Sequence, residues 1–162
     1  MSHALDNKPA PTGLKLMNQD GKEVTLIDDF AGKALVVYFY PKDETPGCTA
    51  QACAFRDSYE VFQQNGAEVI GISSDSWESH KSFASNRKLP FVLLSDPKGE
   101  ARKAFQVPKT LGMIPGRATY IIGPDGIVRG YFNSMMNING HISQSLETIQ
   151  KLKKDQESGA NL

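Results

Sequence analysis

The chain has 162 residues, long enough for one domain with a sizeable core, and its Lys plus Arg equals its Asp plus Glu at 18 each. With no net field to attract a polyanion, nucleic acid and anionic membrane are not expected as partners, and any partner must be recognised locally. The apolar runs are short, and Met1–Pro11 shows no basic segment followed by an apolar one, so neither a membrane span nor an export leader is expected.

Taken in chain order, Asn18-Gln-Asp-Gly21 is a turn signal between Leu14–Met17 and Glu23–Leu26, predicting a short hairpin. Ala34–Tyr40 is an unbroken β-prone run stopped by Pro41, the pattern of a strand buried on both faces. From Thr49 to Gln64 the apolar Ala52, Phe55, Tyr59 and Phe62 recur at helical spacing, and Asn65-Gly66 supplies the stop. Glu68–Ser73 reads as a strand, Ser76–Lys88 as a helix, Pro90–Ser95 as a strand and Glu100–Phe105 as a short helix. Ala118–Ile122 and Ile127–Phe132 flank Gly123-Pro-Asp-Gly126, a hairpin signal, and a last helix covers His141–Lys153. Parallel crossovers followed by an antiparallel hairpin predict an α/β fold, a mixed central sheet with helices on both faces, in the order of thioredoxin-like folds. One domain is expected over 3–154, with 155–162 a polar, disordered tail.

The two cysteines, Cys48 and Cys53, are too few for a disulfide scaffold, and His3, His80 and His141 show no metal-ligand spacing around them, so no metal is expected. The pair reads either as inert buried thiols, which are common, or as reactive ones. Cys48 follows a buried strand and the loop Pro41-Lys-Asp-Glu-Thr-Pro-Gly47, at the first helical turn, where free N–H groups and the helix dipole favour an anion. A thiolate there can attack a peroxide oxygen if donors receive the leaving oxygen. Thr45 has a hydroxyl able to donate to thiolate or peroxide, or else to cap the helix. Pro41 shields the thiol or simply stops the strand; Arg117 reaches across from a strand start or forms an exposed ion pair; Arg56 reads as a solvated helix residue.

Cys53 adds a geometric argument. On an ideal helix five residues give about 7.5 Å of rise and roughly 140° of rotation, placing the Cα atoms about 8.7 Å apart, beyond the roughly 7 Å reach of a disulfide. Bond formation therefore requires the first helical turns to unwind, with small Ala50, Ala52 and Ala54 expected to leave that stretch lightly anchored.

The string Pro41-Lys-Asp-Glu-Thr45-Pro-Gly-Cys48 resembles the peroxiredoxin pattern Pro-x-x-x-Thr/Ser-x-x-Cys, and Arg117 falls where that family carries a distant arginine. The longer run Tyr38–Asp57 is similar to the peroxiredoxin Q, or bacterioferritin comigratory protein, branch, and the similarity extends over about Lys8 to Lys154. Thr12-Gly13 departs from the Asp-Phe that relatives carry there, which bears on the first strand. The resemblance implies Cys48 as peroxidatic nucleophile, Cys53 as resolving thiol, Thr45 and Arg117 as activators and Pro41 as shield. It implies a monomer that reduces hydrogen peroxide and alkyl hydroperoxides without haem, flavin or metal cofactor, is recycled by thioredoxin, and resides in the cytoplasm, or in a plastid if a transit peptide was removed. Two other readings share the thiols: a thiol-disulfide oxidoreductase, which calls for Cys-x-x-Cys, and a redox-regulated binding module. His80 reads as a surface histidine or a pH sensor, Trp77, Met135 and Met136 as packing or loop residues, and Met113 and Phe132 as apolar groups that could meet an organic peroxide's tail.

Overall fold

The computed structural model describes residues 2–110 and 114–160. The expected hairpin is present as β1 (Lys15–Asn18) and β2 (Glu23–Thr25), paired antiparallel. The apolar run forms β3 (Ala34–Phe39), buried along its whole length, as its lack of alternation required. Helix α1 (Pro46–Gln64) follows, then β4 (Ala67–Ser73), α2 (Trp77–Arg87), β5 (Val92–Ser95) and the short α3 (Glu100–Ala104). Two short strands not read from the sequence, β6 (Lys109–Thr110) and β7 (Ile114–Pro115), pair antiparallel. The late hairpin is β8 (Ala118–Ile122) and β9 (Val128–Asn133), and α4 (Ile138–Ala160) ends the fold. This last helix starts before His141 and runs on through residues read as a polar tail, where Gln156 and Glu157 are good helix formers.

Seven strands make one mixed sheet in the order β2-β1-β5-β4-β3-β8-β9. Strand β3 lies next to the middle, parallel to β4 and antiparallel to β8, so the loops after β3 and before β8 open at the same end of the sheet, with Phe39 opposite Ala118. That register brings the Pro41–Gly47 loop and Arg117 together although they are far apart in sequence. Helices α1, α2 and α4 cover one face through Ala52, Phe55, Phe62, Phe83, Ile142 and Ile149, packed on Val36, Tyr38, Val69 and Leu93. The opposite face packs Ala101 of α3 with Phe105, Leu16, Leu26 and Ile27 on Leu35, Val37, Phe39, Ile70 and Ile72. Each face thus collects one parity of the β3 side chains, with helices on both sides as expected.

Candidate active site

Cys48 is in the first turn of α1 and 1% exposed. The first backbone bond of the helix runs from Thr49 N–H to Thr45 O at 2.8 Å; Pro46 has no N–H, so the free donors at this helix start are those of Gly47 and Cys48. Arg117, the second residue of the two-residue β7–β8 connection, is 4% exposed, and its Nη2 donates to Cys48 Sγ at 3.4 Å. The exposed ion pair considered for Arg117 is therefore wrong: the register of β8 on β3 turns its side chain inward. Each of its three nitrogens is engaged, with Nη1 donating to Gln51 Oε1 at 2.6 Å and Nε to Met135 O at 3.2 Å. A Cβ on Gly47 would stand 3.0 Å from Nη2, so glycine gives the guanidinium room beside the thiol.

Thr45 holds the N-cap position, but its hydroxyl makes no cap bond and instead donates to Lys42 O at 2.8 Å. Its one proton is thus engaged within the loop rather than on the thiol, and its oxygen receives no cap bond from the helix. Pro41 is half-buried two residues beyond the end of β3. Cys53 is a free, half-buried thiol on the same helix as Cys48, as the disulfide geometry required. The stretch between them is less loosely held than its alanines suggested, since Ala52 is fully buried and Gln51 is tied to Arg117. Arg56 is not simply solvated: its Nη1 donates to Arg87 O at 2.7 Å, fastening α1 to the end of α2.

Two positioning residues were not singled out from the sequence. Gln51 is fully buried three residues after Cys48, and that spacing, which puts both on one face with Ala52 and Phe55, was the available signal. Arg102 donates from Nη2 to Tyr40 O at 2.8 Å and from Nη1 to Gly116 O at 3.0 Å, clamping the residues that precede Pro41 and Arg117. Burial lowers its guanidinium pKa, with the Asp96 and then the Cys48 charge opposing. A Cβ at Gly116 would fall 2.0 Å from Pro108 O, so only glycine lets the chain after α3 pass this close to the strand start. Tyr38 lies beneath α1, stacked on Phe55 with centroids 4.6 Å apart; burial first, then the Cys48 charge, raises its pKa, so it stays neutral.

Other expectations are redistributed. His80 is fully buried, not on the surface. Trp77 is half-buried, packing against the Gly21 turn of the hairpin. Met135 contributes its backbone carbonyl to Arg117, Met136 is 89% exposed, and Phe132 packs edge-on against His141. Met113 lies outside the described residues. A surface hollow beside Asn7, Asp125, Arg129 and Lys151 shares no residue with this site.

The chain belongs to the AhpC/TSA family, whose sequence pattern matches residues 7–131. Among curated relatives, chloroplastic peroxiredoxin Q of Sedum lineare is 53% identical over 88% of this chain and 77% of its own length. The Suaeda salsa counterpart is 52% identical over 88% of this chain and 66% of its own. Among solved structures, Xanthomonas campestris peroxiredoxin Q superposes with a TM-score of 0.80 at 33% identity, covering 86% of this chain and 91% of that one. Mycobacterium tuberculosis peroxidoxin BcpB gives 0.84 at 31%, covering 92% and 98%. Within the family the chain falls in the peroxiredoxin Q branch: a thioredoxin-fold thiol peroxidase, an enzyme that reduces peroxides at the expense of a thiol reductant.

Proposed function

We propose that Cys48 is the attacking thiol and Cys53 the resolving thiol of this peroxidase, with Arg117, Thr45 and Pro41 completing the site. The observation that carries the assignment is the Arg117 Nη2 contact with the buried Cys48 Sγ, beside the free N–H groups at the start of α1. The Cys48 thiolate displaces one peroxide oxygen, forming the S–O bond as the O–O bond breaks. The leaving oxygen takes up a proton as water or alcohol, and Cys48 is left as a sulfenic acid. Arg117 and the helix-start N–H groups stabilise negative charge on sulfur and then on the departing oxygen. Thr45, its proton held by Lys42 O, presents lone pairs that accept the peroxide hydrogen and orient the substrate. Pro41, lacking an N–H, lines the mouth without competing for either oxygen.

The Cys53 thiol then attacks the sulfenic sulfur, releasing water and closing a Cys48–Cys53 disulfide, which a dithiol such as thioredoxin reduces. Helix α1 must unwind locally for this step because both cysteines lie within it. Substrates are hydrogen peroxide and alkyl hydroperoxides; a solved relative, the Xanthomonas campestris bacterioferritin comigratory protein, is described for alkyl peroxide reduction at 32% identity and a TM-score of 0.80. The enzyme acts as a monomer, and the chloroplastic relatives favour a plastid over the cytoplasm. Among the described residues no helix is long and apolar enough to cross a membrane.

Peroxide consumption coupled to thioredoxin, thioredoxin reductase and NADPH tests the reading. Cys48→Ser is expected to abolish turnover, whereas Cys53→Ser keeps one fast oxidation and loses cycling. Turnover by Cys48→Ser would overturn the assignment.

A further inference from the structure

The loop between β3 and α1 carries a buried carboxylate that the chemistry above does not use. Asp43 is 5% exposed, and its oxygens collect three side-chain partners. Tyr40 OH donates to Oδ1 at 2.5 Å, Ser79 Oγ donates to Oδ2 at 2.8 Å, and His80 Nδ1 lies 2.7 Å from Oδ2. The Asp43 N–H donates to Asp75 Oδ2 at 2.8 Å, and Ser73 Oγ holds that same oxygen at 2.6 Å. His80, fully buried, faces Leu94 O at 3.0 Å through Nε2; a carbonyl only accepts, so Nε2 is the donor of that bond. Asp43, Asp75 and His80 bring potential metal-ligand atoms within 4.8 Å of one another, but these hydrogen bonds account for the convergence.

These partners are Tyr40 just past β3, Ser73 at the end of β4 with Asp75 in the loop after it, and Ser79 and His80 in the first turn of α2, whereas Asp43 stands in the middle of the loop that delivers Thr45 and Cys48. The next residue, Glu44, has a left-handed backbone (φ +62°), a conformation that side chains other than glycine rarely adopt and that persists only when the surroundings enforce it. Its carboxylate is pinned as well, by Arg87 Nη2 at 3.0 Å.

We propose that Asp43 is a positioning residue for peroxide attack: by fastening the loop to α2 and β4, it fixes Thr45 and the free N–H groups of Gly47 and Cys48 relative to the thiol and Arg117. This rests on the reading of Cys48 as the attacking thiol. Loosening the fastening lets the attack geometry drift, so the first step slows. Disulfide closure, which requires Cys48 to leave that geometry, is not slowed. The two steps therefore respond differently, which a general loss of stability does not produce.

The test is single-turnover oxidation by hydrogen peroxide, with sulfenic acid formation and disulfide closure followed separately, for the wild type, Asp43→Ala and Asp43→Asn. Asparagine can keep the fastening with donors reversed: its oxygen accepts from Tyr40 while its amide donates to His80 Nδ1 and Ser79 Oγ. Asp43→Ala is expected to slow attack about tenfold or more with closure undiminished, and Asp43→Asn to recover most of the loss. Val128→Ala, on the opposite face of the sheet, serves as the control for lost stability and is expected to leave attack unchanged. If Asp43→Ala fails to fold, Tyr40→Phe removes one bond with its ring packing kept, and a roughly threefold slower attack is expected. Attack at the wild-type rate in Asp43→Ala, equal slowing in Val128→Ala, or Asp43→Asn as slow as Asp43→Ala overturns the proposal. A wild type whose Cys48 is not oxidised by peroxide would instead sink the assignment of Cys48.

Discussion

At the scale of single residues, the site depends on one guanidinium meeting three acceptors at once. Arg117 reaches Cys48 Sγ, Gln51 Oε1 and Met135 O from separate nitrogens, a geometry that a lysine ammonium on a flexible stem cannot reproduce. Arg117→Lys is therefore expected to lower the rate of Cys48 oxidation about a hundredfold, measured by competition against a haem peroxidase for limiting peroxide. Gly47→Ala places a methyl group 3.0 Å from Nη2 and is expected to slow the same step several-fold, about one order at most, with the fold intact. Cys48 and Cys53 were legible because reactive thiols five residues apart have few structural uses. Arg117 was legible only through the family resemblance, because spacing along the chain says nothing of where a side chain turns; the pairing of Phe39 with Ala118 decides that. Gln51, Arg102 and His80 were hidden for a related reason. Polar residues in helical stretches look solvated until the opposing surface is known.

At the scale of elements, α1 must be stable enough to hold the reduced site and unstable enough to open. Two buried side-chain groups within its first turns, Thr49 Oγ1 and Gln51 Nε2, have no hydrogen-bond partner among the described residues. An unsatisfied buried group costs about 1–3 kcal/mol, and unwinding recovers that by hydration. Thr49→Val, which keeps the shape and removes the hydroxyl, is expected to stabilise the reduced helix by about 1 kcal/mol. Disulfide closure should then slow about fivefold while peroxide attack is unaffected, as read by stopped-flow on the two phases. A closure rate equal to wild type would show that these orphan groups do not set the ease of opening. The helix itself was plain in the sequence from its apolar periodicity, and so were the hairpin turns. Strands β6 and β7 were not, being two residues each with a proline in one.

At the scale of the whole molecule, the fold makes stability depend on pH through a buried histidine behind the site. His141 is fully buried; Thr119 Oγ1 lies 2.7 Å from its Nδ1 and Ser134 O lies 2.7 Å from its Nε2. Burial is the main cause lowering its pKa from 6.5 to about 4, with Arg117 adding to the shift and the Ser134 carbonyl opposing it. The unfolded chain therefore binds a proton that the folded chain refuses between those values, so stability is full above pH 6.5 and falls as the pH drops towards 4. The loss should approach about 3 kcal/mol, and His141→Gln should flatten that part of the profile in urea titrations at successive pH values. The layered α/β architecture followed from the order of strand and helix signals, while the full reach of α4 did not, because its polar end reads equally as tail or helix. The chemistry turns on one sulfur. Cys53→Ser, in which Cys48 is the only thiol left, treated with one equivalent of hydrogen peroxide and a sulfenic-acid trap and followed by peptide mass spectrometry, should carry the label on Cys48 within the first seconds. A Cys48 that stays unlabelled, or is labelled no faster than a free cysteine, would contradict it.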